Sequence, residues 1–95
     1  MRLHEHEIAI ILSEVREIFA DAKVYLFGSR LNDAKRGGDI DLFLIPTISE
    51  RTLEKKIRLI ARLERLLHKP VDVVIHRDFS RAIEQEALKG VCLGG

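Results

Sequence analysis

The run Asp39-Ile40-Asp41-Leu42-Phe43-Leu44-Ile45 constrains the fold more than any other stretch of the chain. It is short and apolar on both alternating faces past its two carboxylates, the pattern of a strand covered on both sides. Pro46 closes it, because proline cannot donate to a sheet ladder. A strand of this kind needs helices to cover it, so the chain must supply an α/β arrangement. Lys23 to Phe27 (KVYLF) reads as a first strand ending at Gly28, and Val71 to Ile75 (VDVVI) as a third.

Helices fill the intervals. Ile8, Ile11, Leu12, Val15, Ile18 and Phe19 fall on one helical face, predicting a helix over about 5–20. After Pro46, Thr47 and Glu50 have capping-box spacing. The helix that follows runs to about Leu67, with Leu53, Ile57, Ile60, Glu64 and Leu67 on one stripe and Leu63 beside it. Ser80 to Lys89 reads as a last helix stopped by Gly90. Residues 28–38 hold three glycines and read as a loop, with one helical turn around Leu31 to Lys35. Gly94 and Gly95 read as a loose end. The expected fold class is α/β (α+β), a small mixed three-stranded sheet packed with helices.

At 95 residues the chain suits one domain, 1–95, and leaves no room for a second substrate-binding unit. With 16 basic and 15 acidic residues there is no global field to draw in nucleic acid. Aromatics are sparse, and no tryptophan is present to form a stacking platform for bases. A direct nucleic-acid partner is therefore not expected. The single cysteine excludes an internal disulfide and fits a reducing compartment. No apolar run approaches the roughly 20 residues of a membrane span. A cytoplasmic protein with no membrane partner is expected.

The chemistry sits at the strand ends. Asp39 and Asp41 are two apart, so their side chains leave one face of the strand, about 7 Å apart at the backbone. Two repelling carboxylates at the mouth of an apolar strand suit a hard cation such as Mg²⁺. The alternative is a solvated turn. Asp72 interrupts a run of valines, where a charge is seldom left without a partner. It either joins the same cation or pairs with an arginine from a helix. Gly28 lets a ligand approach the backbone, Ser29 offers a hydroxyl and an N–H, and Arg30 can meet a phosphate or an acidic neighbour. The alternative for Gly28 and Ser29 is a plain strand-end turn.

Taken together, Gly28-Ser29-Arg30, the loop, Asp39-x-Asp41 on a strand and Asp72 on a later strand resemble the DNA polymerase β-type nucleotidyltransferase superfamily. In particular the chain resembles the small bacterial and archaeal members, the minimal nucleotidyltransferases. The likeness spans about Lys23 to Ile75. It implies a polymerase β-like nucleotidyltransferase fold, with two Mg²⁺ ions held by Asp39, Asp41 and Asp72. It also implies ATP bound through Gly28, Ser29 and Arg30, and transfer of AMP to a hydroxyl with release of pyrophosphate. Many relatives carry a serine before the first aspartate, where this chain has Gly38. Small stand-alone relatives commonly act as antitoxins of HEPN-domain toxins. The resemblance therefore implies a HEPN toxin as partner, adenylylated on a tyrosine. A non-catalytic antitoxin that neutralises by binding is the alternative, and a small-molecule transferase a third. A homo- or hetero-oligomer is compatible with the apolar positions on the long helices.

Other polar groups have simpler readings. His4 and His6 are two apart on a helix and do not share a face, so they suit a solvated terminus. His76-Arg77-Asp78 suits a turn into the last helix, with a role toward phosphate or acceptor as the alternative. The basic residues between Arg51 and Lys69 suit a solvated face or a docking surface. Cys92 suits a small packing residue.

Overall fold

The computed structural model describes residues 3–28 and 40–94. Ser29, Arg30, Asp39 and the helical turn expected around Leu31 to Lys35 lie outside the described residues. The element order is α1 (Glu5–Phe19), β1 (Ala22–Phe27), β2 (Ile40–Pro46), α2 (Thr52–Leu67), β3 (Val71–Ile75), α3 (Ala82–Leu88) and β4 (Val91–Gly94). The sheet runs β3-β2-β1-β4. β1 is antiparallel to both β2 and β4, and β2 is parallel to β3.

One sheet face carries Val24 and Leu26 of β1, Ile40, Leu42 and Leu44 of β2, and Val71 and Val73 of β3. These meet Ile11, Val15 and Phe19 of α1 and Leu59, Leu63 and Leu67 of α2 in the core. Period-2 alternation sends Tyr25, Phe27, Asp41, Phe43, Asp72 and Val74 to the other face. There α3 packs across β1 and β2. Phe43 is fully buried on that side, beside the rings of Tyr25 and His76. Covering on both faces explains why β2 is apolar throughout.

Carboxylates pin the helices. Glu7 accepts the His4 N–H at 3.0 Å and an ion pair from Lys69 at 3.0 Å, tying α1 to the turn before β3. The His4 hydrogen bond, then Lys69, holds the Glu7 carboxyl below its ordinary pKa. Glu64 accepts the Val71 N–H at 2.9 Å and fixes the start of β3.

Four expectations need correction. The sheet has four strands, not three: Val91–Gly94, which takes in the Gly94 expected in a loose end, pairs with β1, while Gly95 lies outside the described residues. Cys92 lies exposed on that edge strand rather than packed. The buried stripe of α2 is Leu59, Leu63 and Leu67, while Leu53 and Ile57 are 67% and 59% exposed. At 3.6 residues per turn, Ile57 lies roughly 160° around the helix from Leu59. Thr47 donates to Asp21 at 2.8 Å instead of capping α2, whose first residue is Thr52.

The turn into β4 depends on Gly90. A Cβ there would overlap the Leu26 carbonyl oxygen and come within 2.9 Å of the Phe27 Cβ. Because the first obstacle is backbone, Gly90→Ala is expected to cost about 1–3 kcal/mol in urea unfolding, the usual scale of overpacking. Loss of amide protection in β4 ahead of β1 would accompany it.

Candidate active site

The register places the candidate residues across neighbouring strands. Phe27, the last residue of β1, faces Asp41 of β2, and Asp41 faces Asp72 of β3. Adjacent strands lie about 4.8 Å apart, and facing residues share a sheet face. The two carboxylates therefore stand side by side. Asp41 is half-buried and Asp72 exposed. Asp72 tolerates its place among valines because β3 is an edge strand and its side chain leaves by the face opposite the core. Among the described residues no arginine pairs with Asp72, and its Oδ1 accepts the Val73 N–H at 3.0 Å. The helix-arginine alternative is thus not what the fold shows.

Gly28 follows β1 directly, buried and at φ 155°, a backbone angle that side-chain-bearing residues rarely adopt. The strand therefore leaves the sheet beside Asp41 through a residue that only glycine fits well. A cavity of about 410 Å³ opens on the carboxylates, lined by Phe27, Asp41, Asp72, Val74, Ala82, Ile83 and Glu86. Its walls are apolar apart from the three carboxylates. Two carboxylates on adjacent strands supply the hard oxygen donors that Mg²⁺ selects, so the residues fit such an ion. Among the described residues no set of three or more His, Cys, Asp or Glu forms a metal site; Asp39, the expected third ligand, lies outside them.

A model of the nucleotidyltransferase domain family matches residues 8–91. The chain belongs to that family. No curated protein shows significant sequence similarity to it. Solved structures do match. One is a tri-AMPylated Shewanella oneidensis HEPN toxin in complex with an MNT antitoxin, at 22% identity and TM-score 0.76, covering 98% of this chain and 73% of that one. Another is the toxin–antitoxin complex MntA–HepT, at 19% identity and TM-score 0.74, covering 97% and 73%. A third is a toxin–antitoxin complex with AMP-PNP, at 22% identity and TM-score 0.74, covering 98% and 74%. At these identities the likeness is one of fold.

Two carboxylates that sequence reasoning placed in solvent are buried among the described residues, Glu7 of α1 and, more deeply, Glu84 of α3. Glu84 of α3 has no solvent exposure. It accepts the Arg77 N–H at 2.7 Å, the Asp78 N–H at 3.0 Å and Arg81 Nη1 at 2.9 Å, and bonds His76 Nδ1 at 2.7 Å. Burial opposes its ionisation, but the hydrogen bonds from Asp78, His76 and Arg77 outweigh it and lower its pKa to about 2. The segment His76-Arg77-Asp78, expected as a turn, is the turn that Glu84 organises. In consequence α3, which carries the cavity wall at Ala82, Ile83 and Glu86, is fastened to the end of β3. The signal in the sequence was faint, since a glutamate in a charged helix reads as solvated.

Proposed function

We propose that this domain transfers AMP from ATP to a hydroxyl on a partner protein of the HEPN toxin class and acts as its antitoxin. The observation that carries the reading is the side-by-side placement of Asp41 and Asp72 in a cavity at the end of β1, next to Gly28. Membership of the nucleotidyltransferase family supports the reaction class. Fold relatives described as an AMPylated HEPN toxin with its MNT antitoxin, and as a complex with AMP-PNP, support the donor and the acceptor.

In this reading Gly28, Ser29 and Arg30 hold the triphosphate, and Asp39, Asp41 and Asp72 hold two Mg²⁺ ions. When bound, the ions supply electrostatic stabilisation of the attacking and leaving oxygens. Gly28 brings backbone rather than side chain against the phosphates. Asp72, at the open edge, orients the acceptor hydroxyl and accepts its proton. The new bond joins that oxygen to the α-phosphorus, the bond from the α-phosphorus to its bridging oxygen breaks, and pyrophosphate leaves. The apolar walls limit the access of competing water. No described helix is long and apolar enough to cross a membrane, and the cytoplasm is the compartment that supplies ATP.

The test is mass spectrometry of a co-expressed candidate HEPN partner. A gain of one or more AMP units is expected with the intact chain and none with Asp39→Asn/Asp41→Asn. A complex that forms with no mass gain would replace catalysis with neutralisation by binding alone.

A further inference from the structure

The carboxylate cavity has a neighbour of opposite charge. A second cleft of about 530 Å³ is lined by Leu53, Lys56, His76, Arg77 and Arg81, with the hydroxyl residues Ser49 and Thr52. Val74 lines both cavities and forms the ridge between them. Asp72, Val74 and His76 lie at alternate positions along β3 and its end, so they follow one face of the strand. From Asp72 to His76 the path is about 13 Å at 3.3 Å per residue.

The cleft is rigid at its base and free at its rim. His76 and Arg81 are both tied to buried Glu84, and the Phe79 ring stacks on His76 with centroids 4.0 Å apart. Lys56 and Arg77 have no ion pair among the described residues. Around them Leu53 and Phe79 are exposed, at 67% and 48%. A lysine and an arginine over a hydrophobic lip suit a carboxylate-bearing peptide. A nucleic acid would call for a longer basic track and more stacking rings than this chain offers.

We infer that the cationic cleft is the acceptor-docking subsite: it receives an acidic side chain of the partner protein lying about three to five residues from the hydroxyl that enters the carboxylate cavity. The inference rests on the transfer reading above and adds to it what selects the acceptor. An extended segment laid along the open outer edge of β3 would place its hydroxyl by Asp72, pass Val74 and set its carboxylate against Lys56 and Arg77. Val74, which lines both cavities, is what sets the cleft beside the reaction. Opposite charges at the two ends also fix the direction of the segment.

The test uses fluorescein-labelled peptides with one tyrosine and either glutamates or lysines three to five residues away, titrated by anisotropy. The wild-type chain is expected to bind the glutamate peptide at least about tenfold more tightly, with an affinity that falls as salt rises. Lys56→Glu/Arg77→Glu, both changes at the cleft rim, should abolish or reverse that preference. Equal affinity for the two peptides, or a preference that survives the charge reversal, would overturn the inference. Tighter binding of an oligouridylate of matching length would also overturn it, in favour of a nucleic-acid site. AMP-PNP titrated in parallel keeps the two readings apart. Failure of the wild type to bind it counts against nucleotidyl transfer, whereas normal binding with no peptide preference counts against the docking subsite alone.

Discussion

Asp72→Asn is expected to slow AMP transfer by about 10²–10⁴-fold, the range over which a positioned proton acceptor acts, while leaving the fold and nucleotide binding nearly intact. Asparagine has the same shape, and its side-chain oxygen can still accept the Val73 N–H that Asp72 takes at 3.0 Å. The position is exposed and carries no ion pair among the described residues, so stability should move by less than about 0.5 kcal/mol. What disappears is a negative charge beside Asp41, and with it the pull on the acceptor proton and one donor to a cation. Single-turnover transfer, AMP-PNP affinity and melting temperature, measured together, check the separation. Transfer at the wild-type rate would remove Asp72 from the chemistry. A matching loss of thermal stability would make it a structural residue.

The alternation rule made much of this site legible. Asp41 and Asp72 each interrupt an apolar strand, and period-2 geometry places both on the face away from the α1 and α2 core. The pairing of β2 with β3 then sets them side by side. β4 was not legible, because Val91–Gly94 is four residues long and its pairing depends on how closely Gly90 approaches Leu26. No local pattern in so short a strand outweighs two terminal glycines. The apolar stripe of α2 was legible in its second half, where Ile60, Leu63 and Leu67 pack in or against the core, but not in its first, because the sequence holds two stripes. Leu59, Leu63 and Leu67 enter the core, and Leu53 and Ile57 face solvent. Periodicity shows that a helix has apolar faces, and only the packing of α1 and the sheet shows which one is covered. Glu84 was hidden for a related reason: two of its four partners are backbone N–H groups of the preceding turn, which carry no sequence signature.

Glu84→Gln is expected to destabilise the domain by roughly 2–4 kcal/mol, the usual cost of breaking a buried charge from its partners. For a domain of this size that lowers the melting temperature by roughly 10–25 °C. Glutamine offers one acceptor oxygen where the carboxylate serves two backbone N–H groups, Arg81 and the His76 ring. Keeping that oxygen on the backbone N–H groups and Arg81 turns the amide N–H toward His76 Nδ1, which must then accept, and removes the negative charge beside Arg81. The pH dependence gives an independent check with a fixed sign. The folded carboxyl ionises at about 2, against an ordinary value of 4.5. Between those values the unfolded chain holds a proton that the folded chain does not, so acid favours unfolding. The contribution, about 3 kcal/mol from the difference in pKa, is complete above pH 4.5 and is lost progressively as the pH falls toward 2. Urea unfolding of the wild type should weaken over that window, and the Gln variant should lack this component. An identical acid slope in both proteins would show that Glu84 is not the group responsible. Because α3 hangs from Glu84 and forms the wall at Ala82, Ile83 and Glu86, the variant should also raise the KM for the acceptor at temperatures where it remains folded. Chemistry should suffer less, since Asp41 and Asp72 stand on the sheet rather than on the helix.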